Sequence, residues 1–315
     1  MPDSTGSDDL YLTDLSPSDK PWDVHRANAS VVQALYSRSD LPEYAVRIEQ
    51  CSKLLGFAFE AQDSGELKIR LQQAKFCRVR HCPVCQWRRT LMWRARFFQA
   101  VPRIRQAYPS GRWLFLTLTV RNCPIEALRA TLKDMNAAWV RLAQRKSFPA
   151  LGFVKAAEVT RSKEGLAHPH FHIMLLVPSS YFSTGYIKQA TWRELWQQAL
   201  RVDYLPVVDI QAVKPKKGAE SGVDPMAIAV LETMKYGIKE ADLMSDATWL
   251  QELTKQLHKT RAISVGGVLK DFLKEEEPED LIHAEEEDQD DCDTEVGVWF
   301  GWREMVARYK KLERC

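Results

Sequence analysis

Residues 168–177 read His-Pro-His-Phe-His-Ile-Met-Leu-Leu-Val, and this run restricts the fold more than any other in the chain. Successive side chains in a strand alternate faces, so His168, His170 and His172 fall on one side. Phe171, Ile173, Leu175 and Val177 fall on the other, which reads as core. A buried sheet has no structural use for imidazoles spaced two apart. A divalent metal does, since histidine is its commonest ligand. Three of only seven histidines lie within these five residues, which disfavours a solvent-facing strand that merely carries them.

The flanking segments supply the rest of a sheet. Trp113 to Val120 is a β-rich apolar run. Glu126 to Lys146 places Leu128, Leu132, Met135, Trp139 and Leu142 at helical spacing. Phe153 to Thr160 reads as a strand, the loop Arg161 to Ala167 contains Gly165, and the histidine strand follows. Tyr186 to Leu200 is helical, with Trp192, Leu195, Trp196 and Ala199 on one face. Tyr204 to Val213 reads as a strand, Lys214 to Gly222 as a linker or flexible loop, and Pro225 to Leu243 as a helix. Strand, helix, strand, strand, helix, strand is the ferredoxin- or RRM-like order, so the expected class is α+β with an antiparallel sheet. If the strands around the 161–167 loop pair as a hairpin, Thr160 lies across from His168 and Glu158 across from His170. Opposed residues share a face, which makes Glu158 the third metal ligand. A one-residue slip would turn it away and leave His168 in that place.

A second cluster precedes this core. Cys77, Cys82 and Cys85 lie within nine residues, the last two in a Cys-Pro-Val-Cys knuckle, which is zinc-ligand spacing; Cys51 or His81 completes a tetrahedral site. Such a site is structural and orders the chain around it. A redox Cys-x-x-Cys would need a thioredoxin-like frame that the sequence lacks. Cys123, Cys292 and Cys315 read as ordinary residues. Met1 to Pro21 is polar and acidic, without the pattern of a secretory signal, and the apolar stretches are strand-sized. The expectation is therefore a cytoplasmic protein with no membrane segment, whose cysteines are thiols or metal ligands.

The net charge of +2 conceals a division. Residues 275–295 hold 13 acidic residues and no basic ones; without them the chain carries 44 basic against 29 acidic residues, a net of +15. From Arg70 to Arg112 there are eleven arginines and lysines and no acidic residue, interleaved with aromatics. That block suits a polyanion, with Arg78, Arg80, Arg88, Arg89, Arg94 and Arg96 as phosphate contacts. The acidic run reads as a loop or disordered insertion. The expected organisation is a polar N-terminal extension (1–45), a basic zinc-binding region (46–110), a core carrying the histidine strand (111–245) and a C-terminal region carrying the insertion (246–315).

The third constellation is Glu232 with Lys235, Tyr236 and Lys239. On a helix, Leu231, Met234 and Ile238 form the buried stripe, while Glu232, Tyr236 and Lys239 share the opposite face. Lysines beside a tyrosine favour phenolate and hold phosphate, and a nearby carboxylate can take a proton.

Three ordered segments now stand together: Phe115-Leu116-Thr117-Leu118-Thr119-Val120, then His168-Pro169-His170-Phe171-His172, then Glu232 with Lys235-Tyr236 and Lys239. With the cysteine segment Phe76 to Arg89 ahead of them, the chain resembles replication initiators of rolling-circle bacterial plasmids. These belong to the His-hydrophobe-His (HUH) endonuclease superfamily, and the likeness is to its single-tyrosine, cysteine-cluster subfamily. It covers roughly Cys51 to Lys239, with a weaker aromatic-basic tail from Val298 to Arg308. The resemblance implies that Tyr236 attacks the scissile phosphate of the plasmid origin, presented single-stranded or as an extruded hairpin, and forms a 5′-phosphotyrosyl bond. It implies Mg2+ or Mn2+ at His170 and His172, and a water-activating role for Glu232 at termination. Host DNA polymerase would extend the freed 3′-hydroxyl, with a host helicase as a further partner. The alternatives are a single-strand HUH transposase or relaxase, whose tyrosine usually precedes the histidines, and a non-catalytic zinc-dependent DNA-binding regulator.

Overall fold

The computed structural model describes residues 10–61, 67–213, 240–274 and 297–313. In chain order these form α1 (Leu12–Leu15), α2 (Lys20–Tyr36), α3 (Pro42–Glu49), β1 (Leu54–Ala61), β2 (Leu67–Ala74), α4 (Pro83–Ala107), β3 (Arg112–Thr119), α5 (Leu128–Ala143), β4 (Gly152–Arg161), β5 (Ala167–Val177), α6 (Gln189–Leu200), β6 (Val208–Ala212), α7 (Glu240–Met244), α8 (Ala247–Leu257), β7 (Ile263–Gly267), α9 (Leu269–Phe272), β8 (Val298–Arg303) and β9 (Arg308–Lys311). Two compact units result, residues 1–88 with 277–315, and residues 89–276. Each contains one antiparallel sheet, so the class is α+β, as expected. Among the described residues, no helix is long and apolar enough to cross a membrane.

The first unit is a four-stranded sheet in the order β2-β1-β8-β9 with α2 and α3. The sequence reading set residues 1–45 aside as a polar extension; instead α2 buries Trp22, Ala29, Val32 and Tyr36. Two polar residues on the same helix are buried as well, and each is hydrogen-bonded. Arg26 donates to the carbonyls of Ile48 (3.2 Å) and Glu49 (3.1 Å), and Asp23 accepts from the Tyr309 amide at 3.0 Å. Buried polar groups are tolerated on these terms, but they break the apolar stripe that a pattern search looks for. The division between units falls inside α4, at Arg88, and the C-terminal region is split, with β7 in the second unit and β8 and β9 in the first.

The second unit contains the predicted sheet. β3-α5-β4-β5-α6-β6 is the βαββαβ order, and the spatial order β6-β3-β5-β4 is the ferredoxin-like one, extended by β7 beside β4. A Cβ at Gly266 would strike the Phe153 ring, so glycine lets β7 approach that closely. One face packs on α5 and α6: Phe171, Ile173, Leu175 and Val177 are fully buried with Leu132, Met135, Trp139, Trp192 and Trp196. At about 1.5–3 kcal/mol for each fully buried large apolar side chain, this face contributes much of the stabilisation.

The opposite face is also covered over part of its length. Phe97, Ala100, Val101 and Ile104 of α4 form one cluster with Trp113, Val154, Met174, Leu176, Ile263 and Leu269. Along β5 that cluster takes in Met174 and Leu176, and His172 and His170 are the next residues on the same face. The helix expected at Pro225 to Leu243 and the Lys214 to Gly222 linker lie outside the described residues, apart from the end of the former in α7.

Candidate active site and metal centres

β4 and β5 pair with Glu158 opposite His170, Thr160 opposite His168 and Ala156 opposite His172, the register that the hairpin argument required. The Glu158 carboxylate oxygen Oε2 then lies 2.9 Å from His170 Nε2 and 2.7 Å from His172 Nε2. All three side chains are largely buried. His170 Nδ1 donates to the His168 carbonyl at 3.2 Å, and His172 Nδ1 lies 3.2 Å from Thr117 Oγ1. Phe115 stacks on the His172 ring at 5.5 Å. Both outer ring nitrogens are thus occupied, and both inner ones converge on a single carboxylate oxygen. Glu158, His170 and His172 each place one ligand atom within 4.8 Å of the others, which fits a divalent cation.

Burial alone would raise the Glu158 carboxyl, but hydrogen bonds from His170 and His172, together with their charge, outweigh it and hold the group well below the usual carboxylate range. His168 stands outside the triad. Its ring is 5.2 Å from that of His170, and burial followed by the His170 charge pulls its pKa down.

The cysteines form a second centre. Cys51, Cys77, Cys82 and Cys85 come together, with Sγ separations of 3.6 Å (Cys51–Cys85), 3.5 Å (Cys77–Cys85) and 3.7 Å (Cys51–Cys82). A tetrahedron with Zn–S bonds of about 2.3 Å has edges of about 3.8 Å, so four thiolates at these spacings fit zinc. Ser52 and Arg78, which directly follow two of the cysteines, adopt left-handed backbone (φ 51° and 55°). The Val79 amide donates to Cys77 Sγ at 3.5 Å, and the Cys77 amide to Cys51 Sγ at 3.5 Å. Amides aimed at sulfur favour thiolate, the metal-binding form. His81 is buried but is not among the four.

Residues 68–310 match the replication protein family. The chain is 34% identical to a "Protein rep" of Lentilactobacillus hilgardii over 95% of both chains. It is 35% identical to a "Protein rep" of Bacillus amyloliquefaciens over 97% of this chain and 98% of that one, and 35% identical to a "Protein rep" of Streptococcus pneumoniae over 89% and 87%. This chain belongs to the replication protein family. The resemblance to rolling-circle plasmid initiators drawn from its motifs therefore stands. No solved structure matches the chain significantly.

In this replication protein the basic block is not uniform. Arg78 is exposed and Arg80, Arg89, Arg94 and Arg96 are half-buried. Arg88 packs its guanidinium against Trp22 (5.5 Å), Phe76 (5.8 Å) and Trp87 (5.9 Å), and burial lowers its pKa. Arg96 lies over Trp93 at 5.0 Å. Glu232, Lys235, Tyr236 and Lys239 lie outside the described residues, as does the acidic run 275–295. Thr117, which the sequence reading did not single out, is the residue directly opposite His172 across β3 and β5. Its signal was its place in the Phe115–Val120 segment, whose alternation puts Phe115, Thr117 and Thr119 on the histidine face once the register is known.

Proposed function

We propose that this replication protein starts rolling-circle replication by nicking one strand of a plasmid double-strand origin, and later joins or releases the displaced strand. The observation that carries this reading is the convergence of Glu158, His170 and His172 on one point of the sheet. A Mg2+ or Mn2+ ion bound there would polarise a phosphate oxygen and offset the charge that develops on it.

The other steps fall to the chain's own side chains. The Tyr236 phenolate oxygen forms a bond to phosphorus as the bond from phosphorus to the 3′ oxygen breaks, leaving a 5′-phosphotyrosyl bond and a 3′-hydroxyl for host DNA polymerase. Lys235 and Lys239 hold the phenolic proton's departure favourable and grip the phosphate. At termination Glu232 takes a proton from water, whose oxygen bonds to the phosphorus of the regenerated origin as that phosphorus loses its 3′ oxygen; the freed 3′-hydroxyl then displaces the Tyr236 oxygen from the first phosphate and closes the strand. A Zn2+ held by the four thiolates would order the region around Arg78 and Arg80, which with Arg89, Arg94 and Arg96 meets the phosphates of origin DNA, single-stranded or extruded as a hairpin, while Arg88, packed on Trp22, Phe76 and Trp87, braces that region. The setting is the cytoplasm, with a host helicase as a further partner. The relatives are replication proteins, which favours this reading over a single-strand transposase, a relaxase or a non-catalytic regulator.

The test is a nicking assay on supercoiled DNA carrying the origin, with Mn2+. The wild-type protein should convert it to open circles and leave a covalent adduct on a denaturing gel. Tyr236→Phe should bind the same DNA and give neither product. An adduct persisting in Tyr236→Phe would remove the tyrosine from its role.

A further inference from the structure

At the histidine end of the sheet, two cross-strand rows lead away from the Glu158–His170–His172 triad. Glu158 pairs with His170, His170 with Thr119, and Thr119 donates its amide (3.2 Å) and its hydroxyl (2.9 Å) to the carbonyl of Val207. The second row runs from His172 to Thr117 to Asp209, whose carboxylate accepts from Gln211 at 2.7 Å. Val207 is 66% exposed and Leu205 is 48% exposed, so the first row ends on an open apolar edge.

Two residues past Thr119, Arg121 lies over a tyrosine. Its guanidinium carbon is 4.0 Å from the centroid of the Tyr204 ring, and its backbone amide donates to Tyr204 Oη at 3.1 Å. One tyrosine thus grips the same arginine at both ends. Among the described residues no carboxylate pairs with that guanidinium, and Arg121 is exposed. An arginine held this way has already lost the rotamer freedom that a ligand would otherwise have to remove, and its outer face is open.

We propose that Arg121, backed by Tyr204, is a stacking platform for an unpaired nucleobase adjoining the scissile phosphate. The inference rests on the function proposed above, which puts that phosphate at the Glu158–His170–His172 point. A guanidinium plane and an aromatic ring are surfaces on which bases stack regardless of sequence. The positive charge suits the neighbouring phosphate, and Val207 and Leu205 offer apolar contact to the sugar edge. A base in intact duplex is already stacked on its neighbours, so the platform selects single-stranded or extruded DNA over duplex.

The test uses a short single-stranded oligothymidylate carrying one 2-aminopurine, whose fluorescence is quenched by stacking, with the full-length zinc-loaded protein. Wild type should bind it and quench it. Arg121→Ala should weaken binding about tenfold and abolish the quench, while affinity for a duplex of matching length stays as in wild type. Tyr204→Leu should do the same, whereas Tyr204→Phe keeps the ring and should retain most of both signals. Arg121→Lys keeps the charge without the plane, and should bind weakly and leave the probe bright. Full quenching by Arg121→Ala, an exposed substitution that should not disturb folding, would overturn the platform; so would full quenching by Arg121→Lys. These readouts need no cleavage. A protein that quenches as expected yet never nicks would refute the proposed function and leave the platform standing.

Discussion

His170 and His172 are held from behind as well as in front. The His168 carbonyl can only accept, so the His170 Nδ1 carries the proton, and the Thr117 hydroxyl, which can donate or accept, holds His172 Nδ1 from the same side. Each ring then presents Nε2 towards Glu158, and partners of this kind orient ligating histidines in metal sites generally. Thr117→Val keeps the shape and removes the hydrogen bond. Mn2+ affinity, read by electron paramagnetic resonance, should fall about tenfold or more, with thermal stability little changed. Thr117→Ser should restore the affinity, and a Thr117→Val protein that binds Mn2+ like wild type would show that the contact is idle. The histidines were legible in the sequence because their residue type is rare and their spacing is strand-like. Glu158 followed from counting across a seven-residue loop. Thr117 was not legible, because threonine is ordinary in a strand and acquires meaning only when its cross-strand neighbour is known.

The elements of the second unit were read well where one period dominates. α5 buries Leu128, Leu132, Met135, Trp139 and Leu142, and β5 buries Phe171, Ile173, Leu175 and Val177 as expected, with Met174 and Leu176 buried on its other face as well. β4 shows what such reading misses, because Lys155 interrupts its packed face. Lys155 is buried, donates to Asn136 Oδ1 at 2.7 Å and lies 3.8 Å over the Phe171 ring, with no carboxylate partner among the described residues. Burial pulls its pKa down from 10.5 to about 8. Between those values the unfolded chain binds the proton that the folded one has released, so this group's contribution to stability rises with pH across that window. Below pH 8 the cost of burying the charge is present in full, about 3 kcal/mol. Lys155→Met should therefore be more stable than wild type at pH 7, less whatever the orphaned Asn136 acceptor costs. The advantage should shrink steadily between pH 8 and 10.5 in paired denaturant titrations. An advantage independent of pH would mean that the lysine titrates alike in the folded and unfolded chains, so that burial does not lower its pKa.

For the whole molecule, the cysteine spacing announced a metal centre, but not the sheet it belongs to. Cys51 lies between α3 and β1, Cys77 follows β2, and Cys82 and Cys85 lie at the start of α4, so one ion would tie three segments of the chain. The two centres should separate under chelation. Mild EDTA should stop nicking while zinc, measured by elemental analysis, stays bound, and Mn2+ should restore activity. Cys82→Ser should lose the zinc and the hydrogen-exchange protection of β1 and β8, while β3 to β5 keep theirs; retained protection in β1 and β8 would show the centre to be dispensable for folding. The sequence hid the first unit's sheet because its strands come from opposite ends of the chain. β1 pairs with β8 from Leu54↔Gly301 to Phe57↔Val298. That pairing sets a clock on biosynthesis. At about 5–20 residues per second, a ribosome that has made β1 needs on the order of tens of seconds more to deliver β8. Until then the nascent first unit has its cysteines and half a sheet, with the edge of β1 unmatched. A product released early, before Val298, never closes it. Completion of translation is thus the step that finishes this unit, and prematurely terminated chains are marked for proteolysis by their own open edge.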